Sequence, residues 1–209
     1  MDKILCAGKN NKKHAEELGD APPKEPVFFI KPPSCLFLLG GAGGQEPLEL
    51  PKHHGSVHHE LELVFKIRKD EAKGDISLCA WTVGLDLTLR DLQSQLKKSG
   101  HPWERAKAFP RSAVIGEFIG FENGQAEPSE DNLKEVYELK VNGETRQKGQ
   151  AKDLIWSPQQ LLQEASKAFL ICDGDLLFTG TPEGVGPLKA GDHLEIRLGE
   201  RLHYVLDVV

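Results

Sequence analysis

Two glutamates separated by one residue raise the first chemical question in this sequence. Glu60 and Glu62 lie in the stretch SVHHELELVFKI, where Leu61, Leu63 and Phe65 recur with the period-2 pattern of a half-buried β-strand. Alternate side chains of a strand point to the same face, so these carboxylates are about 7 Å apart, given roughly 3.3 Å of rise per residue. Charges of one sign this close repel each other unless protons, water or a cation compensates them.

A third carboxylate, Asp86, lies at the end of the apolar run ISLCAWTVGLDL, just before a predicted helix. Oxygen ligands from a few carboxylates suit a hard cation such as Mg²⁺, Mn²⁺ or Ca²⁺. An unpaired carboxylate is seldom buried, so Asp86 strengthens the metal interpretation of Glu60 and Glu62. The alternative, a solvated strand face, remains open from spacing alone.

The histidines offer a competing metal site. The stretch HHGSVHH places four of them close together, at His53, His54, His58 and His59. Zinc uses such nitrogen ligands, but no cysteine accompanies the cluster and no HExxH pattern is present. We therefore favour a surface loop here, with His59 available to orient Glu60.

Two further pairs have helical spacing. His14 and Glu17 are three residues apart on a predicted first helix, so the carboxylate can orient the imidazole as a general base that activates water. Arg90 and Gln93 share a face of a later helix and could bind a substrate carboxylate through a guanidinium and an amide. Solvated helix surface is the alternative for both pairs.

The elements that must position these residues are mostly strands. Helices are predicted from Asn10 or Asn11 to Gly19, and from an imperfect Thr88–Asp91 capping box to Gly100. A third is predicted with Ser157 as its cap and Pro158 in its first turn. Strands are predicted in KILCAG, PVFFIKPP, the two runs above, a hairpin turning at Asn142-Gly143, and three segments near the C-terminal end. Strands and helices do not alternate strictly. This pattern predicts an α+β, β-rich architecture in a single domain, 1–209.

Composition limits the function classes. The chain has 209 residues, of which 39% are hydrophobic and 28% charged, with a net charge of −6 and a pI near 5.8. This acidic balance argues against binding to nucleic acid or an anionic membrane. The four cysteines are scattered, as expected for reduced thiols. Neither a signal peptide nor a membrane-spanning run is evident, so we expect a cytoplasmic protein.

Seven ordered motifs resemble the fumarylacetoacetate hydrolase family nearly end to end: GKNNKKHAEELG, EPVFFIKPPS, VHHELELVF, GLDLTLRDLQ, PWERAKAF, VNGETRQKG and GDLLFTGTPEGVGPLKAGD. The similarity is to its short single-domain members, related to acylpyruvate hydrolase and to oxaloacetate decarboxylase or tautomerase. The resemblance implies a mixed β-sandwich roll with a few short helices, usually assembled as a homodimer. It also implies the following site: Mg²⁺ (or Mn²⁺) on Glu60, Glu62 and Asp86, substrate contacts from Arg90, Gln93 and Thr181, and catalysis by His14, Glu17 and Lys107.

The activity that this resemblance implies is cleavage of the C–C bond of 2,4-dioxo acids, giving pyruvate and a carboxylic acid through a metal-stabilised enolate. In this scheme His14, oriented by Glu17, activates water, and Lys107 helps to stabilise the enolate. Two alternatives use the same metal site: an oxaloacetate keto–enol tautomerase or decarboxylase, and a relative that binds oxo acids without turnover. The expected partner is in each case a small 2-oxo or 2,4-dioxo acid.

Overall fold

The computed structural model describes residues 1–13, 23–40, 46–52, 55–121 and 128–209. Within these ranges the chain is β-rich, with fifteen strands and four short α-helices. The strands are β1 (Ile4–Gly8), β2 (Val27–Lys31), β3 (Leu36–Leu38), β4 (Val57–His59), β5 (Leu61–Lys69), β6 (Ile76–Asp86), β7 (Thr88–Leu89), β8 (Ala113–Ile115), β9 (Ile119–Gly120), β10 (Tyr137–Val141), β11 (Glu144–Gly149), β12 (Leu176–Phe178), β13 (Gly186–Leu188), β14 (His193–Leu198) and β15 (Leu202–Asp207). The helices are α1 (Arg90–Lys98), α2 (Glu104–Lys107), α3 (Glu130–Lys134) and α4 (Pro158–Ala168). This confirms the predicted β-rich α+β class.

The largest sheet has eight strands in the order β2-β1-β12-β5-β6-β8-β3, with β9 added beside β6. It is mixed, because β1 runs parallel to β12 and β3 parallel to β8, while the remaining pairs are antiparallel. Strands β6 and β8 approach closely at Gly84, where a Cβ atom would lie 2.4 Å from the carbonyl oxygen of Val114. Glycine is therefore required for this contact.

Two smaller antiparallel sheets complete the fold. One has the order β11-β10-β14-β15, and the other, β13-β4-β7, has only two or three residues in each strand. A hydrophobic core joins the large sheet to β10, β14 and helix α4, with Trp81, Tyr137 and Leu161 fully buried. The small third sheet matters for function because it holds β4, and therefore Glu60, against the start of helix α1.

The predicted strand from Ser56 to Ile67 was wrong in two respects. The chain pairs first with β13 and β7, leaves the ladder at Glu60, and then enters the large sheet as β5. Nor is the strand half-buried, since every residue from Leu61 to Phe65 is buried. The alternating pattern identified the strand, but both faces of β5 are covered by other parts of the fold.

The capping box predicted at Thr88 was also wrong. Helix α1 begins after Leu89, whose side chain makes no capping hydrogen bond. Thr88 is instead paired with His58 in the small sheet, and Asp91 accepts a hydrogen bond from the backbone N–H of Ser56 at 2.8 Å. Strand pairing therefore takes the residue that local spacing had assigned to the helix cap.

Other local predictions were confirmed. Ser157 caps helix α4 in a capping box with Gln160, and Pro158 occupies its first turn. The hairpin between β10 and β11 turns at Asn142 and Gly143, both with positive φ. All four cysteines are free. The first predicted helix lies mostly outside the described residues.

Candidate active site

Three carboxylates converge where two sheets meet. Glu60 lies between β4 and β5, Glu62 in β5, and Asp86 at the end of β6. A ligand oxygen from each lies within 4.8 Å of the others, and all three residues are buried. Backbone geometry produces this convergence, because Glu62 is paired with Gly84 in the β5–β6 ladder, and the N–H of Asp86 donates to the carbonyl of Glu60 at 2.8 Å. We call these three residues the acidic triad.

Three cationic side chains contact two members of the acidic triad. The ammonium of Lys107 lies 2.8 Å from Oε2 of Glu60 and 2.5 Å from Oδ2 of Asp86. The guanidinium of Arg90 contacts Oε1 of Glu60. On the other side, Lys31 lies 2.6 Å from Oδ1 of Asp86 and has no exposed surface. Both oxygens of Glu60 and both of Asp86 therefore have a cationic neighbour.

These contacts determine the charge states of two side chains. Burial alone would raise the pKa of Glu60, but Lys107 and Arg90 hold it well below its usual range. Burial alone would lower the pKa of Lys107, yet Asp86 and Glu60 hold it well above its ordinary value. Glu60 is therefore an anion and Lys107 a cation at neutral pH.

Glu62 is the member of the triad without a cationic contact among the described side chains. It accepts a hydrogen bond from the backbone N–H of Gly180 at 2.7 Å. Burial, Asp86 and Glu60 together raise the pKa of Glu62 well above its ordinary value. A buried carboxylate that is destabilised in its charged form by two others is the arrangement that a bound cation relieves.

The acidic triad fits a divalent metal ion. Its donors are oxygens only, which suits Mg²⁺ or Mn²⁺ better than zinc. The ammonium and guanidinium contacts do not use up the donor atoms, because an ionised carboxylate has about four lone-pair sites. Glu60, Glu62 and Asp86 could each supply one oxygen and leave other coordination positions to a ligand.

A cavity of about 480 Å³ opens above the acidic triad, large enough for a small organic acid. Arg90 and Gln93 line it from helix α1, and Nη1 of Arg90 donates to Oε1 of Gln93 at 2.8 Å. Arginine can only donate, so this bond fixes the direction of the Gln93 amide. The Nε2 hydrogens of Gln93 have no acceptor among the described residues and remain available to a ligand.

Thr181 lines the same cavity and is held from behind by Gln147, which lies in β11. Nε2 of Gln147 donates to Oγ1 of Thr181 at 2.8 Å, while its Oε1 accepts from the N–H of Leu61 at 2.8 Å and faces Nδ1 of His59 at 2.9 Å. Because Oγ1 of Thr181 already accepts, its hydroxyl hydrogen can be donated to a ligand. Arg90, Gln93 and Thr181 therefore present donors to the cavity.

The structure brings together seven of the nine site residues predicted from the sequence. All seven line this cavity: Glu60, Glu62, Asp86, Arg90, Gln93, Lys107 and Thr181. The other two, His14 and Glu17, lie outside the described residues, as do His53 and His54 of the histidine cluster. The surface loop expected for that cluster is wrong for His58 and His59, which lie in β4. Within the described ranges, the acidic triad is the only group of three metal-ligating side chains close enough to share an ion.

Sequence reasoning missed two buried residues that support the site. Lys31 gives a detectable signal, a lone charge in the apolar run PVFFIKPP, because a charge at such a position needs a buried partner. Gln147 gives none, since it lies in a polar hairpin strand and reaches the site only through tertiary packing. The aromatic side chains of Phe29 and Trp103, which line the cavity, were also missed.

A family model described as fumarylacetoacetate (FAA) hydrolase C-terminal matches residues 3–205. The chain belongs to the fumarylacetoacetate hydrolase family. Oxaloacetate tautomerase YcgM of Escherichia coli (strain K12) is 42% identical over 201 residues, covering 94% of this chain and 88% of that protein. The mitochondrial oxaloacetate tautomerase FAHD1 of Homo sapiens is 36% identical, covering 92% of this chain and 85% of that protein.

Solved structures of this family agree with the fold. A crystal structure of fumarylpyruvate hydrolase from Pseudomonas aeruginosa in complex with Mn²⁺ and pyruvate superposes with a TM-score of 0.83 at 35% identity, covering 99% of this chain and 89% of that chain. The β-rich roll expected from the sequence is therefore confirmed. No helix in the described parts of this chain has the length and apolar character needed to cross a membrane.

Proposed function

We propose that this chain is a divalent-metal-dependent enzyme of 2-oxo acid chemistry, and that its reaction is the keto–enol tautomerisation of oxaloacetate. The observation that carries the proposal is the combination of two features of the cavity. The buried acidic triad suits a divalent cation, because Glu62 has no cationic contact among the described side chains, and the cavity wall of hydrogen-bond donors suits an anion. A metal-bound oxo acid satisfies both requirements. Relatives named oxaloacetate tautomerase support this choice of substrate.

Glu60, Glu62 and Asp86 would hold Mg²⁺ or Mn²⁺, which when bound supplies Lewis-acid polarisation of the 2-oxo oxygen. Arg90, Gln93 and Thr181 would donate to the substrate carboxylate and fix its orientation in the cavity. Glu60 holds Arg90, Arg90 holds Gln93, and Gln147 holds Thr181. The three donors are therefore organised before the substrate arrives.

Lys107 would stabilise the charge that develops during the reaction. Tautomerisation moves a proton from C3 to the 2-oxo oxygen, so negative charge builds on that oxygen. The Lys107 ammonium donates two of its hydrogens to Glu60 and Asp86 and has a third one left. A buried, fully protonated ammonium is an effective electrostatic stabiliser of an enolate.

The second candidate is hydrolysis of 2,4-dioxo acids, the reaction that the sequence analysis placed first. It rests on His14 and Glu17 as a water-activating pair and on the 35% identity with a fumarylpyruvate hydrolase. We rank it second because the described cavity residues supply enolate stabilisation without it. His14→Ala separates the two reactions, because it should abolish hydrolysis while leaving tautomerisation within a few fold of wild type.

The test of the proposed function is a substrate panel with Mg²⁺ and Mn²⁺: oxaloacetate, acetylpyruvate and fumarylpyruvate, followed by enol absorbance and product analysis. Reactions with metal alone provide the background rates. We expect metal-dependent interconversion of the oxaloacetate tautomers well above that background. Binding of oxo acids without turnover of any of them would instead identify a non-catalytic relative.

The metal assignment is tested separately by calorimetric titration with Mn²⁺. Glu62→Gln keeps the size of the side chain but removes the carboxylate that lacks a cationic partner, so we expect at least a hundredfold loss of affinity, about 3 kcal/mol. Glu71→Gln, at an exposed turn position, is the matched control and should bind like wild type. Equal affinity in both variants would rule out the acidic triad as the metal site.

A further inference from the structure

An aromatic wall in the cavity lining separates the buried acidic triad from the exposed residue Lys97. The wall consists of Phe29 and Trp103, whose ring centroids are 5.1 Å apart with their planes inclined by 48°. At its inner end the ammonium of Lys107 lies 5.0 Å from the Phe29 ring, and at its outer end the ammonium of Lys97 lies 5.1 Å from the Trp103 ring. A lysine therefore stands at each end of this apolar surface, and all four side chains line the cavity.

The two lysines differ in their partners. Lys107 forms ion pairs with Glu60 and Asp86. Lys97 has no carboxylate within ion-pair distance among the described residues, and its contact is with the face of Trp103. Burial lowers its pKa, and the nearby charges of Arg90, Lys9 and Lys107 lower it further, while Glu60 opposes them only in part. A cation among charges of the same sign is stabilised by an anion, which a bound ligand can supply.

The net charge at the acidic triad indicates how many carboxylates of a ligand can be bound there. The three carboxylates of the acidic triad are equal in number to the cations Lys31, Arg90 and Lys107, although none of these contacts Glu62 among the described side chains. A divalent cation at the triad would therefore leave an excess of about two positive charges there. A 2-oxo carboxylate provides one negative charge near that excess. A ligand with a second carboxylate would carry its other charge along the wall, in the direction of Lys97.

We propose that Lys97 and the aromatic wall form a subsite for the second carboxylate of a dianionic oxo acid, so that Lys97 selects dicarboxylates over monocarboxylates. This inference rests on the proposed function, because it assumes that the oxo-acid end lies at the acidic triad. The enol form of such a substrate is conjugated and flat, which suits stacking against Phe29 and Trp103. Lys97 is then a specificity-determining residue and takes no part in proton transfer.

The experiment compares ligands that share one end and differ at the other. Pyruvate and 2-oxoglutarate both carry a 2-oxo acid group, but only the second carries a distal carboxylate. We would titrate both into the Mn²⁺-loaded protein and into Lys97→Met. The expected result is a roughly tenfold loss of affinity for 2-oxoglutarate, the effect of one charge-assisted hydrogen bond, with pyruvate unchanged within about twofold.

Two controls make the comparison specific. Lys98→Met removes the adjacent lysine of the same helix, which does not line the cavity, and should leave both affinities unchanged. Lys97→Arg keeps the charge and should restore most of the 2-oxoglutarate affinity.

In steady-state assays, Lys97→Met should raise KM for oxaloacetate roughly tenfold with kcat nearly constant.

Equal losses for pyruvate and 2-oxoglutarate, or no loss for either, would overturn the role of Lys97. Failure of the proposed function looks different: the wild-type protein would then show no metal-dependent interconversion of the oxaloacetate tautomers above the background rate. The ligand titration would still report whether Lys97 distinguishes one carboxylate from two.

Discussion

At the scale of single residues, the direction of one hydrogen bond determines what Thr181 can offer a ligand. The N–H of Leu61 can only donate, so the oxygen of the Gln147 amide must face Leu61 and its nitrogen must face Thr181. The carbonyl oxygen of Pro182, 3.0 Å from the same nitrogen, requires this orientation as well. Gln147 never lines the cavity, yet it fixes the Thr181 hydroxyl as a donor.

A double-mutant cycle tests this positioning role. Gln147→Met removes the amide, after which the Thr181 hydroxyl can turn away, and Thr181→Val removes the hydroxyl itself. We expect each change to raise KM for oxaloacetate roughly five- to tenfold and the double variant to be no worse than Gln147→Met. The measurement is KM and kcat for the four proteins, with Gln163→Met on the exposed face of helix α4 as control. Additive effects would mean that Gln147 acts on KM independently of Thr181.

At the scale of elements, Lys31 connects three separate segments of the chain. It lies in β2, and its ammonium contacts Asp86 at the end of β6 while donating to the carbonyls of Leu87 at 3.2 Å and Ser112 at 2.7 Å, just before β8. Its aliphatic stem is fully buried, and Phe109 lies 5.8 Å from its ammonium. This one side chain therefore keeps the end of β6, and with it Asp86, at a fixed place.

Removing the Lys31 ammonium should lower the stability of the protein, and a bound metal ion should restore part of that loss. Lys31→Met leaves Asp86 and two carbonyls with fewer partners, and loss of one member of a buried ion pair costs about 3–5 kcal/mol in free energy of unfolding. We expect a lower Tm, with a larger increase in Tm on adding Mn²⁺ than wild type shows, because a cation compensates Asp86. The readout is thermal unfolding with and without Mn²⁺.

Lys66→Met, at an exposed position of β5, is the matched control and should change stability by less than about 0.5 kcal/mol. If Lys31→Met were as stable as this control, the proposed contribution of the Lys31–Asp86 pair would be refuted.

Local chemistry accounts for the elements that the sequence predicts well. The cap of helix α4 depends on Ser157, Pro158 and Gln160, and the β10–β11 turn depends on Asn142 and Gly143. In both cases the residues that decide the structure are neighbours in the chain. The hydrophobic runs of β1, β2 and β6 were predictable for the same reason.

Elements that depend on distant partners were not predictable. The break at Glu60 exists because β4 pairs with Gly186–Leu188, more than a hundred residues further along the chain. Thr88 does not cap the helix, because it pairs with His58 in that same small sheet. The site residues could be predicted as one group because the motif resemblance carries tertiary information. Lys31 and Gln147 could be recognised only in the packed structure.

At the scale of the whole molecule, the site depends on all three sheets. Glu62 and Asp86 come from the large sheet, Gln147 from the four-stranded sheet, and Glu60 directly follows a strand of the small one. Assembly as a homodimer stays a prediction from the family resemblance. Analytical ultracentrifugation would determine the oligomeric state.

The start of the chain is connected to its C-terminal third by Asp175. This buried carboxylate accepts hydrogen bonds from the backbone N–H groups of Asp2, Lys3 and Cys172, and from the ammonium of Lys3 at 2.7 Å. Burial alone would raise the pKa of Asp175, but these hydrogen bonds from Lys3, Asp2 and Cys172 lower it below the ordinary value. The contacts hold β1 beside β12, next to the strand that carries Glu62.

The lowered pKa sets the direction of a pH effect. Because the folded state holds Asp175 in its charged form, the stabilisation is complete above the pKa of the unfolded chain, about 3.9, and is lost as the pH falls through the lower folded value. Asp175→Asn should therefore cost about 2 kcal/mol in free energy of unfolding at about pH 7 and progressively less towards about pH 3. Urea unfolding of both proteins across this range measures the difference. The exposed control variant Asp131→Asn should change the free energy of unfolding by less than about 0.5 kcal/mol throughout this range. If the loss of stability in Asp175→Asn did not depend on pH, packing rather than charge would hold β1 in place.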